Sequence, residues 1–133
     1  YKFSDGFQSS WRVQEADAEE YFETLSGLRE KYKDKIKIHI GFEMEYYPKY
    51  FKDMLSKVKK LGAEYLILGQ HYFGDEHPGC PHTCLCKHDE KALIKYTNLV
   101  IKGIKTGEFL YVAHPDMLLF FAPDAIFCTK SYY

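Results

Sequence analysis

The chain has 133 residues, enough for one domain with a real core, and 46% hydrophobic against 28% charged residues indicates a globular class rather than disorder. Lys and Arg total 18 against 19 Asp and Glu, a balance that gives no electrostatic case for nucleic acid or an anionic membrane as partner. No apolar run reaches membrane-spanning length and no signal peptide is visible; three of the four cysteines crowd one loop instead of spreading as a disulfide scaffold would, so a reducing, cytoplasmic setting is expected.

The opening YKFSDGFQSSW, with Ser4, Asp5, Gly6 and a serine pair, reads as loop. From about Asp17 to Tyr32, Ala18, Tyr21, Phe22, Leu25, Leu28 and Tyr32 recur at helical spacing, with charge on the other face. In KIKIHIGFE, Ile36, Ile38, Ile40 and Phe42 alternate, which predicts a strand. His39 is out of phase with that set and receives no function. Pro48 suits a first helical turn, and Phe51, Met54, Leu55, Val58 and Leu61 predict a helix stopped by Gly62. EYLILG is a continuous apolar run, as for a strand covered on both faces. A long loop, 71–88, follows. Leu93, Tyr96, Val100, Ile101 and Ile104 mark a helix over about 89–105, closed by Gly107, and FLYVA is a third strand. The apolar tail from Met117 onward is left unassigned.

Helix and strand thus alternate three times, which calls for an α/β fold with a parallel sheet and right-handed crossovers. Three strands are too few to close a barrel, so part of the architecture is expected to lie outside this chain. Each predicted strand runs directly into a ligand-type residue: Gly41-Phe42-Glu43, Gly69-Gln70-His71 and Ala113-His114-Pro115-Asp116. The carboxyl ends of parallel strands share one rim, where sites form. Singly, each residue is an ordinary polar strand end. Together, Glu43, His71 and His114 form a carboxylate and two imidazoles suited to zinc, manganese or iron. Asp116 is either a partner for a ligating imidazole or a helix N-cap. Glu45 and Tyr46 either face the site or pack, with packing preferred for Tyr46.

The loop segment HPGCPHTCLCKHD holds Cys80, Cys84, Cys86, His82 and His88, with His77 nearby. Cys-x3-Cys-x-Cys plus histidine fits a second, structural zinc site, although it departs from the usual Cys-x2-Cys spacing; a lid loop with free thiols is the favoured alternative.

The motifs GFEMEYY, LGQHY and YVAHPD resemble those of the PHP superfamily of phosphoesterases, named for polymerase and histidinol phosphatase, and most closely its histidinol-phosphatase branch. The resemblance runs almost continuously from WRVQEADAEEYF to YVAHPD. It implies a distorted (β/α)7 barrel, here partial and forming one domain over 1–133, with up to three divalent metals. It also implies a small-molecule phosphate ester as substrate, histidinol phosphate first. On that resemblance Glu43 bridges two metals and is the catalytic residue, His71 and His114 ligate one of them, and Asp5 falls at a further ligand position. Arg12 lies in a stretch near the active-site mouth, where it either meets a phosphate or makes a surface salt bridge. The family's His-x-His, Ser-Asp-His and Asp-x-His motifs are not in the sequence; they would precede Tyr1, lie between Gly6 and Trp11, and follow Tyr133. Other PHP phosphoesterases, or a non-catalytic metal-binding remnant, are the alternatives.

Overall fold

A computed structural model describes residues 2–3, 5–10, 12–87 and 89–120. Trp11, His88 and Cys128, and the tail beyond 120, lie outside the described residues. The elements run α1 (Glu15–Tyr32), β1 (Gly41–Met44), α2 (Phe51–Leu61), β2 (Tyr65–Leu68), a 3-10 turn (Thr83–Leu85), α3 (Glu90–Lys105), β3 (Tyr111–Val112) and a second 3-10 turn (Met117–Leu119). The strands form one parallel sheet in the order β1-β2-β3, with Ile67 opposite Tyr111 and Leu68 opposite Val112. The alternating order and the mixed α/β class are those read from the sequence. Among the described residues no helix is long and apolar enough to cross a membrane.

The first strand is shorter than its alternation suggests. Residues 36–40 lie outside the strand, and Ile36 is 57% exposed. Alternation marks an extended chain; a strand also needs a neighbour. The first rung is Glu64 N–H to Ile40 C=O at 2.8 Å. Upstream of Glu64 the neighbour is the end of α2, where Gly62 takes φ 92° and hydrogen-bonds back to Lys59 and Val58 carbonyls. That left-handed C-cap turns the chain off the sheet, so 36–39 have no neighbouring strand among the described residues. His39 instead meets Glu64, Nδ1 to Oε2 at 2.8 Å. β2 also differs from expectation: Leu66 and Leu68 are buried, while Tyr65 and Ile67 are half-buried.

Contacts divide the chain into two compact units, one of residues 1–42 and 49–65, the other of 43–48 and 66–133. In the first, Phe22 of α1 lies under Gly62, and Lys57 of α2 pairs with Glu15 at 2.9 Å. That pairing holds the Glu15 carboxyl below its usual range. No residue of α1 is fully buried: Ala18, Phe22 and Leu25 are half-covered, whereas Tyr21, Leu28 and Tyr32 stay exposed.

The second unit carries the main core: Phe73, Leu93, Tyr96, Leu99 and Leu118. Burial, with the Asp116 charge, pushes the Tyr96 phenol up to about 12. Asp89 caps α3 by accepting the Ala92 N–H at 3.0 Å, which lowers its carboxyl pKa. The buried face of α3 is Leu93, Tyr96, Leu99 and Gly103, and Ile101 and Ile104 are 40% and 52% exposed, against the sequence expectation. Gly103 explains the rotation. A Cβ there would stand 2.8 Å from Leu68 Cδ2 and 3.2 Å from Tyr46 Cβ. The helix therefore meets β2 through its one residue without a side chain, and the neighbouring isoleucines turn outward.

Gly103→Ala tests this. Alanine raises helix propensity by about 1 kcal/mol, but overpacking costs about 1–3 kcal/mol. Leu68 is fully buried and has nowhere to move. A net loss of about 1 kcal/mol is expected in urea unfolding; a gain would show that the contact relaxes.

Candidate metal centre

Glu43 lies in β1, His71 follows β2 and His114 follows β3, so three consecutive strand ends deliver them to one rim. Glu43 Oε1 is 3.3 Å from His114 Nε2 and 3.7 Å from His71 Nε2. The two imidazole centroids are 4.8 Å apart at 57°. One ligand atom from each residue lies within 4.8 Å of the others, and this is the group among the described residues able to hold a metal ion.

The dimensions suit a first-row ion. Ligands about 2.1 Å from a shared tetrahedral centre are about 3.4 Å apart, close to the two Glu43 distances. The Glu43 side chain is 42% exposed and that of His71 17%, so the group is rooted in protein and open to solvent at the carboxylate.

Behind His71 stands Glu45, whose side chain is 2% exposed. Its Oε1 is 3.1 Å from His71 Nδ1, and its Oε2 accepts the Tyr72 N–H at 3.1 Å. A carboxylate this buried needs compensating charge. Gln70, fully buried, accepts the Tyr46 N–H at 3.2 Å and donates to the Tyr72 carbonyl at 2.7 Å, which ties the ends of β1 and β2 together.

His114 has φ 33°, the left-handed region that non-glycine residues rarely adopt, and Pro115 follows it. Such backbone costs on the order of 1–3 kcal/mol and gathers at functional sites. The Nδ1 of His114 is buried with no hydrogen-bond partner among the described residues.

The remaining candidates are not members of this group. Asp116 holds the N-cap position of the second 3-10 turn, but by its backbone only. It leaves His114 Nδ1 unpartnered and makes no side-chain cap bond to the turn it precedes. Both readings assumed that a sequence neighbour is a spatial partner, and here the exposed side chain turns away. Asp5 and Arg12 belong to the other compact unit. Asp5 Oδ1 accepts the Phe7 N–H at 3.0 Å, closing its own turn. The Arg12 carbonyl accepts from Gln14 Nε2 at 2.8 Å.

The cysteine loop assembles no second zinc group among the described residues. Cys84 Sγ lies 3.0 Å from His82 Nδ1, whereas Cys86 Sγ donates to the Thr83 carbonyl at 3.0 Å. Burial pushes the Cys86 thiol up, away from the thiolate a metal requires. Cys80, Cys84 and Cys86 are free thiols. The loop is pinned at its neck: Tyr72 bridges His82, and Thr83 N–H donates to the His71 carbonyl at 2.7 Å. The His82 ring stands edge-on to Tyr72, centroids 5.0 Å apart.

Sequence reasoning found the trio and undervalued Glu45. The signal was Glu43-x-Glu45, two acids two residues apart at a strand end, where side chains two apart share a face.

No protein-family model matches the chain, and no curated protein or solved structure does.

Proposed function

We propose that the chain is a divalent-metal phosphoesterase of the PHP type, acting on a small phosphate monoester, with histidinol phosphate the first candidate. The observation that carries this reading is the convergence of Glu43 Oε1 with the Nε2 atoms of His71 and His114. Glu43, His71 and His114 would hold the ion. A bound zinc, manganese or iron supplies Lewis acidity toward phosphoryl oxygens and a bound water acidic enough to act near neutral pH. The exposed Glu43 carboxylate leaves the centre open to a soluble ester. The motifs GFEMEYY, LGQHY and YVAHPD favour the histidinol-phosphatase branch, and the free thiols fit a reducing, cytoplasmic setting.

A second reading, metal binding without turnover, draws on the ligand count. Asp5 is engaged with its own turn, and the described group has three ligands against the larger set of the resembling family.

The test loads the chain with zinc, manganese or iron(II) and assays p-nitrophenyl phosphate and histidinol phosphate. Hydrolysis that chelation abolishes and metal restores is expected. Bound metal without hydrolysis selects the second reading, and no bound metal removes both.

A further inference from the structure

We infer that Glu45 is a positioning residue for this centre: it fixes which nitrogen of His71 faces an ion and joins that ligand to the start of the 71–88 loop. The inference rests on the metal reading above but is separable from it by experiment.

The argument is one of donors and acceptors. An ionised carboxylate only accepts hydrogen bonds. Glu45 Oε2 is held by the Tyr72 backbone N–H, which only donates, at 3.1 Å. Its other oxygen faces His71 Nδ1 at 3.1 Å, so the imidazole proton sits on Nδ1. A neutral imidazole protonated there keeps its lone pair on Nε2, the atom facing Glu43 Oε1 at 3.7 Å. In the other tautomer Nε2 carries the hydrogen, and His71 cannot ligate through it. A carboxylate behind a ligating histidine also raises its basicity and locks the ring plane.

The burial of Glu45 makes this setting stiff, because its side chain is enclosed and both oxygens are committed. The same carboxylate fixes Tyr72, whose partner across the neck of the loop is His82. Ligand orientation and the loop base therefore share one side chain. Among the described residues nothing equivalent stands behind His114, and none partners its Nδ1. The two imidazoles are thus held by different means, His71 by a hydrogen bond and His114 by its backbone.

The experiment uses the metal-free chain with 15N-labelled histidine and a long-range 1H–15N spectrum, His71 being assigned from His71→Ala. Wild-type His71 is expected as the Nδ1–H tautomer at neutral pH. Glu45→Gln presents one acceptor oxygen and an NH2 group in place of two acceptors. It should mix the His71 tautomers and weaken zinc binding by about 10–100-fold. A wild-type His71 found as the Nε2–H tautomer overturns the inference, even if Glu45→Gln does not fold. So does a folded Glu45→Gln with an unchanged His71 spectrum and unchanged zinc affinity. Absence of zinc binding by the wild type, with the Nδ1–H tautomer present, removes the metal reading and upholds the hydrogen bond that sets the tautomer.

Discussion

His71→Ala is expected to lose zinc binding, by more than the ~10–100-fold typical of an outer partner, and to lose stability as well. The imidazole is mostly buried and supplies one of the three ligand atoms. It is also one of the groups facing the enclosed Glu45 carboxylate, and weakening the solvation of a buried acceptor costs about 1–3 kcal/mol. The metal-free variant should therefore unfold at lower urea than wild type. His114→Gly supplies the opposite case. Glycine accepts φ 33° without a steric penalty, and the substitution removes a buried nitrogen that has no partner among the described residues. Relief of about 1–3 kcal/mol of backbone strain, less about 0.5–1 kcal/mol of glycine entropy, leaves the metal-free protein more stable by about 1 kcal/mol. Zinc should be lost all the same. Zinc titration and urea unfolding of both variants separate the two effects. Wild-type zinc affinity in His71→Ala sinks the metal centre; a destabilised His114→Gly sinks the view that its backbone is strained to aim the ring.

The trio itself was legible in the sequence, because topology alone places it. Helix and strand alternation implies a parallel sheet, and a parallel sheet puts Glu43, His71 and His114 on one rim whatever the lengths of the strands. Strand lengths were less legible. The alternation of Ile36, Ile38 and Ile40 is the same in a paired strand and in an extended chain, and only the Gly62 turn on the neighbouring segment decides between them. The face of α3 was misjudged for a related reason. Leu93 and Tyr96 lie on the buried stripe as expected, but that stripe continues through Leu99 and Gly103, not through Ile101 and Ile104, which apolar size alone favours. Close approach to Leu68 selects the smallest residue, a criterion invisible without the partner.

The partners of the ligands were the least legible part of the site. Asp116 was chosen because it adjoins His114 in sequence, yet the partner of His71 lies 26 residues away, on another strand end. Hydrogen bonds across a sheet join residues remote in sequence, so a search among neighbours is biased against them. Asp5 and Arg12 came from resemblance and not from any pattern of their own; the Asp5 carboxylate closes its own turn, and for Arg12 the described contact is one of its backbone carbonyl. The cysteines illustrate the limit of counting ligand types: Cys86 is spaced for a cluster but spends its thiol on a backbone carbonyl.

Gly69→Ala should abolish zinc binding and leave the fold intact. Gly69 ends β2 and donates its N–H to the Met44 carbonyl at 3.3 Å, holding β2 beside β1 where Glu43 projects. A Cβ at this position would meet the Glu43 carboxylate, 2.7 Å from its Cδ and 2.9 Å from its Cγ. Real contacts of this kind do not persist, so something moves. The strands are held by backbone bonds on either side, whereas the Glu43 side chain is 42% exposed and has solvent to turn into. The side chain yields. Its swing removes the carboxylate from the Nε2 atoms it now faces at 3.3 and 3.7 Å, and the centre keeps two imidazoles and no anionic ligand. Stability should hold or rise slightly, because alanine restricts the unfolded chain by about 0.4–1 kcal/mol relative to glycine and Gly69 needs no left-handed conformation. Zinc titration and urea unfolding on one sample read both effects. Retained zinc affinity would show that Glu43 ligates from another rotamer or not at all. Loss of fold would show that the strands, and not the carboxylate, gave way. The expected combination, a folded chain that no longer binds, would identify Gly69 as the residue that keeps room for the ligand.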